Sequence, residues 1–193
     1  MTTNLAPPRR RRGGRDDGAA AVEFALVSLL LALLLAGLAE YGLAFNTSRT
    51  AARGTSDAAR LAASIGDGQY ADYNALRSLA ASVGRTDAAV NRVIVYRTSA
   101  ANGAVPATCW TASQTGVCNS YAGTALDALD MTEFPSDCTG SHASWCPLDR
   151  QDAYDDGDYL GVAVELSRSP LFGGFFAGNT IRRHAVYRLE VQE

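Results

Sequence analysis

From Ala19 to Phe45 the chain is apolar, interrupted only by Glu23, Ser28 and Glu40 and softened by Gly37 and Gly42. As an α-helix these residues extend about 40 Å, more than the roughly 30 Å hydrocarbon core of a bilayer. Nine leucines lie between Ala25 and Ala44. At about −0.5 kcal/mol each they outweigh the ~3 kcal/mol that one central charge costs. The expectation is a transmembrane helix over 19–45. A secretory signal peptide has a shorter apolar run and a small-residue cleavage site after it. Here Leu35-Ala36-Gly37 lies inside the apolar block, with no polar boundary behind it.

Charge sets the expected orientation. The first 18 residues hold five arginines (Arg9, Arg10, Arg11, Arg12, Arg15) against Asp16 and Asp17, while the remainder holds 12 arginines and 18 acids. Basic residues ahead of an apolar segment stay in the cytoplasm, which places Asn46 onward outside, in a single-pass topology. The acidic body argues against nucleic acid as a partner, since that surface needs a basic face.

The leader ends Arg15-Asp16-Asp17-Gly18, and the apolar run opens Ala19-Ala20-Ala21-Val22-Glu23-Phe24-Ala25-Leu26. A glycine after a short charged leader, then an apolar helix with glutamate at its fifth position, resembles the type IV pilin signal. With Phe24 after Glu23, it is most similar to the TadE-like family, pseudopilins of the tight-adherence (Tad, Flp) pilus system. Flp pilins themselves carry Glu-Tyr here and are much shorter. The resemblance implies that prepilin peptidase cuts between Gly18 and Ala19. It also implies that Glu23 pairs with the new amine of Ala19 on a neighbouring subunit. A carboxylate on a first helical turn is stabilised by the helix dipole, and in apolar surroundings it needs a partner.

The sequence divides into a basic leader over 1–18, the membrane helix over 19–45, a helical extension over 46–68 rich in alanine and arginine, and an α+β head over 69–193. Within the head, Tyr73, Leu76, Leu79, Ala80 and Val83 recur at helical spacing, which predicts a helix over Asp72–Val83 that Gly84 stops. Val90–Tyr96 reads as a strand. Leu160, Val162, Val164 and Leu166 alternate as a half-buried strand. Ile181, Ala185, Tyr187, Leu189 and Val191 share one side of a final strand, with His184, Arg188 and Glu190 opposite. Two or three antiparallel strands against helices give an α+β fold.

Residues 99–156 read as a long irregular loop holding all four cysteines, Cys109, Cys118, Cys138 and Cys146. Outside the cytoplasm this implies two disulfides. Three connectivities are open. The sequential pairs Cys109–Cys118 and Cys138–Cys146 are favoured because each closes a short loop, at roughly 2.5–3 kcal/mol of chain entropy.

Other chemistries have less support. Cys138, His142 and Cys146 fall at i, i+4, i+8 as zinc ligands would, but no Cys-x-x-Cys is present and an exported setting favours disulfides. Asp152–Gly157 departs from a calcium loop, with Tyr154 and Ala163 where the third and twelfth positions need acids. No catalytic motif accompanies His142 or His184, and the acid pair Asp155 and Asp158 lacks a second signal. Phe172, Phe175 and Phe176, in a glycine-rich turn after Leu171, either fold back beneath the head as core or offer an apolar contact for another pilus component or for lipid.

The reading is therefore a non-catalytic minor pseudopilin, membrane-anchored and open to incorporation in a pilus, without cofactor, metal or small-molecule substrate. Its expected partners are prepilin peptidase, other pseudopilins and the inner-membrane platform of the Tad system. The alternative is a membrane-anchored surface binding protein unrelated to pili.

Overall fold

The computed structural model describes residues 16–151, 157–173 and 178–190. The chain forms two compact units, Met1–Tyr41 and Gly42–Glu193. One helix, α1 (Asp16–Ile65), contributes to both. Its apolar stretch is long enough to cross a membrane. Within the first unit the side chains of Val22, Phe24, Leu26, Leu30 and Leu34 are all exposed. A helix with no covering for such a surface needs an apolar solvent, because water would have to wet the whole leucine block.

In the second unit, α1 ends where Gly66 turns left-handed (φ 63°) and its N–H returns to the carbonyl of Ala62. Only glycine enters that region without a Cβ penalty, a common way for a helix to stop. The second helix, α2 (Ala71–Val83), follows. Four strands build one antiparallel sheet: β1 (Ala89–Thr98), β2 (Cys118–Ala122), β3 (Tyr159–Arg168) and β4 (Asn179–Arg188), in the order β2-β1-β3-β4. The fold is α+β, with helices against an antiparallel sheet. It has one strand more than the hydrophobic pattern gave, because β2 is five residues long and mixes a half-cystine with Asn119 and Ser120.

Strand alternation sorts side chains between the two faces. Val93, Val95, Tyr121, Leu160, Val162, Val164, Leu166 and Ile181 meet the alanine-rich face of α1 (Ala51, Ala58, Ala59, Ala62) and Leu76, Leu79 and Val83 of α2. The opposite face carries Ile94, Tyr96, Cys109, Cys118 and Ala163. There Tyr96 pairs with Gly161 across the strands, and a Cβ on Gly161 would lie 2.2 Å from the ring. The small residues Gly161 and Ala163 thus leave room for an aromatic lid. The sequence pattern alone made β3 half-buried. It is buried on both faces, because the segment around Trp110 covers its second side.

α1 is also pinned along β4. Ser56 and Tyr187 share a hydroxyl–hydroxyl bond of 2.8 Å, Arg183 donates to Ser48 at 3.1 Å, and the N–H of Glu190 donates to the carbonyl of Ala63.

The two helices are in close contact at Gly54, where an added Cβ would lie 2.8 Å from the Cβ of Ser82. Gly54→Ala gains about 1 kcal/mol of helix propensity. Overpacking at that contact costs about 1–3 kcal/mol. The expected outcome is a net loss, read as a lower midpoint of denaturant unfolding in detergent. Adding Ser82→Gly should return most of it. A more stable single variant would show that the contact yields freely.

Candidate functional site

Two places carry the residues singled out in the sequence. At the start of α1, Gly18 and Ala19 are helical, and Glu23 and Phe24 follow one turn later. Ala19 and Glu23 are four residues apart, so they share one helix face. Glu23 is exposed, and Phe24 is 74% exposed. An added Cβ on Gly18 would meet nothing within 4 Å.

The second place is the segment 99–151. It is far from irregular: five short 3-10 turns and β2 fall within it. Cys109 is bonded to Cys118 with Cα atoms 6.2 Å apart, and Cys138 to Cys146 at 5.7 Å. The first bridge lies on the face of the sheet away from the helices, and the second lies beside His142, which stacks on Phe134.

Beside the second bridge is a polar network that the sequence reading missed. Asp72, on the first turn of α2, is fully buried. One of its oxygens accepts from the Arg150 guanidinium at 2.5 Å, in an ion pair whose two side chains have no exposure at all. Its other oxygen accepts from the Tyr121 hydroxyl at 2.7 Å and from the Asn119 amide at 2.8 Å. Asn119 also exchanges two bonds with the backbone of Trp145, donating to its carbonyl and accepting from its N–H, both at 2.8 Å. The guanidinium of Arg150 lies 4.3 Å from the centre of the Trp145 ring, a cation–π contact. One carboxylate therefore fastens α2, β2 and the turns around Trp145 and Arg150. A signal did exist: Asp72 occupies the apolar stripe of Ala75, Leu76 and Leu79 at i+3, i+4 and i+7, whereas Tyr73, placed on that stripe by pattern, is half-buried.

His142 sits in the same region, fully buried, stacked on Phe134 with ring centres 5.4 Å apart and planes 8° from parallel. Its one hydrogen-bonding neighbour is the Pro135 carbonyl, at poor geometry, and the charges of Asp72, Arg150 and Asp137 act on it, so at least one ring nitrogen has no partner among the described residues. Burial pulls its pKa below the ordinary histidine value, so it is neutral near pH 7.

The remaining sequence candidates are dispersed. Asp158 is held by Arg97 at 2.6 Å and by the N–H of Gln151 at 3.1 Å, which occupies both its oxygens. It lines a cleft with Arg97, Val117, Tyr159 and Arg188. Asp155 and the acidic turn at 152–156 lie outside the described residues, as do Phe175 and Phe176. Phe172 is described and is 45% exposed. His184 is exposed on β4.

Residues 18–60 match the model of the TadE-like protein family. No curated protein and no solved structure matches the chain.

Removing the carboxylate of Asp72 strands a buried guanidinium, a change that costs about 3–5 kcal/mol. Asp72→Ala should lower the unfolding free energy of the α+β unit by that amount, and Asp72→Ala with Arg150→Met should recover much of it. Equal stability of the single and double variants would show that the charge left behind is not the source of the loss.

Alkaline pH offers an independent reading. Burial raises the Tyr121 phenol well above its ordinary value of 10, reinforced by the Asp72 charge, and pushes Tyr96 up to about 12. Unfolded, both phenols ionise near 10. The contribution of these groups is therefore fully present below pH 10 and drains as pH rises toward their folded values, by up to about 1.4 kcal/mol per pH unit for each phenol. Denaturant midpoints measured from pH 8 to 11 should fall above pH 10, less steeply in Tyr96→Phe.

Proposed function

We propose that this protein is a non-catalytic minor pseudopilin of a tight-adherence pilus system, anchored by α1 with residues 1–18 cytoplasmic and the α+β unit outside the membrane. The observation that carries the reading is the TadE-like match over residues 18–60, which begins at Gly18 and contains Glu23. A TadE-like segment marks a component associated with Tad pilus machinery. The single long apolar helix fits a membrane-anchored protein. The two disulfides fit an oxidising compartment, which supports the orientation drawn from the leader arginines.

In this reading, prepilin peptidase removes residues 1–18 and leaves α1 on the protein. The new amine of Ala19 then lies one turn from Glu23 on the same helix face. In a neighbouring subunit the same amine meets this carboxylate in low dielectric, where an ion pair far exceeds its strength in water. Assembly partners are other pseudopilins and the inner-membrane platform. Phe24 and the leucine block supply the apolar contact between helices. Phe172, with Phe175 and Phe176 nearby in sequence, is the proposed contact for another pilus component.

Mass analysis of the membrane-extracted protein should find a chain beginning at Ala19, and deletion of the peptidase should leave residues 1–18 attached. Glu23→Ala should still insert and still be cleaved, yet fail to support pilus formation. Loss of one member of a buried pair, about 3–5 kcal/mol, is more than a hundredfold in an association constant. Glu23→Gln, which keeps the size and a hydrogen bond, should fall between. Normal pili from the alanine variant at equal membrane levels would reduce Glu23 to a headgroup-level acid.

A further inference from the structure

We infer that the Cys138–Cys146 bridge is the closed form of a redox-gated zinc site completed by His142. The ligating atoms of Cys138, His142 and Cys146 all lie within 4.8 Å of one another. Among the described residues this is the only such convergence of histidine, cysteine or acidic side chains. The bridge Cys109–Cys118 has no histidine beside it.

His142 supplies the independent observation. Buried polar atoms are paired almost without exception, and an imidazole normally satisfies at least one nitrogen. His142, which has no exposure to water, has only the poorly aligned Pro135 carbonyl beside one nitrogen and no partner for the other among the described residues. Its ring plane is fixed by the stack on Phe134. A ring held rigidly beside two sulfurs, with the lone pair of its unprotonated nitrogen unused, has the arrangement of a ligand awaiting a metal.

The donor set selects the metal. Two thiolates and a neutral imidazole suit zinc, a borderline-soft cation that prefers tetrahedral sulfur and nitrogen ligands. Zn–S of about 2.3 Å and Zn–N of about 2.0 Å place donor atoms some 3.5–3.8 Å apart in a tetrahedron. With Cys138 and Cys146 Cα atoms 5.7 Å apart, side-chain rotation brings the freed sulfurs to that spacing while the backbone stays in place. The thiolates cancel the charge of the ion, so the loaded site buries no net charge. The fourth position is left for solvent or an incoming ligand. Cys138 is only half-buried and provides the way in.

The switch balances as follows. A dithiol reductant gives two electrons and two protons to the bridge, leaving thiols on Cys138 and Cys146, and closes to its own disulfide. Zn²⁺ then binds both sulfurs and one imidazole nitrogen and releases the two thiol protons. In the reverse step a disulfide oxidant takes two electrons from the two thiolates and, with two protons, becomes a dithiol, so that the Cys138–Cys146 bridge re-forms and the ion is expelled.

The test uses the full chain in detergent, with Co²⁺ and Zn²⁺ alone as probes and a phosphine as reductant. Oxidised protein should bind neither ion. Reduced protein should bind one Co²⁺ per chain, with the visible bands of tetrahedral cobalt-thiolate, displaced by Zn²⁺. Zinc should then protect Cys138 and Cys146, but not Cys109 and Cys118, from alkylation. His142→Ala should bind at least about tenfold more weakly, since even outer-shell losses reach that scale. Reduction could also unfold the unit. In that case zinc should restore its near-ultraviolet circular dichroism, because site formation and folding are coupled. The idea fails if metal binds the oxidised protein, or if all four thiols are protected alike. It also fails if His142→Ala binds as tightly as the parent, or if the reduced chain neither binds zinc nor refolds with it.

Discussion

The carboxylate of Asp72 cannot reach water, and the α+β unit is arranged to compensate for that. An ionised group taken out of water loses several kcal/mol of solvation even after relaxation. The loss is offset only if both oxygens find donors. Asp72 finds three, from Arg150, Tyr121 and Asn119, and these residues lie 47 to 78 positions away along the chain. Segments with no apolar reason to meet are thus held in one register. Because removing one partner is far more costly than the net worth of the pair, such a network specifies a structure more than it stabilises it. Arg150 also leaves two nitrogens without partners, so its own compensation rests on the carboxylate and the face of Trp145.

The segment 99–151 shows why that device is needed. It has one five-residue strand and turns of three or four residues, each too short to stand alone. Two bridges close loops of nine and eight residues of separation, which restrain the unfolded chain locally. Local bridges cannot choose where the segment docks. That choice falls to Asn119, which meets both Asp72 and the Trp145 backbone, and to Tyr121 and Phe134, which enter the main core. The division is between covalent links that limit disorder and buried polar contacts that fix position.

Periodic features were legible in the sequence, and features made by distant partners were not. The apolar run and the α2 stripe advertise themselves by spacing, and the strands over 89–98, 159–168 and 179–188 by runs of β-branched and alternating apolar residues, although β3 is covered on both faces. β2 does not: its Asn119 faces the core at a place where alternation calls for an apolar residue, and it is tolerable there only because Asp72 and Trp145 receive it. In the sequence Asp72 reads only as the first residue of the helix expected over Asp72–Val83. Its burial depends on Arg150, and no local window contains both. The tight contact at Gly54 was likewise silent, since a glycine in a helix signals only a propensity loss until the opposing Ser82 is known.

The chain places a carboxylate near the start of each of its helices, and the contrast between them bears on assembly. Asp72 is enclosed by its own chain and fully satisfied. Glu23 lies on a helix whose apolar surface is uncovered, and among the described residues no side chain pairs with it. The same physics applies to both: a carboxylate facing hydrocarbon must be neutralised, hydrated or paired. Asp72 is paired from within, which suits a group whose task is to hold one fold together. A carboxylate left unpaired at the edge of an apolar helix can take its partner only from lipid headgroups, water or a second protein. Under the proposed role that partner is the amine freed from Gly18 in a neighbouring subunit. It would serve between chains as Arg150 serves within one, with the difference that an intermolecular pair can form and break as subunits are added.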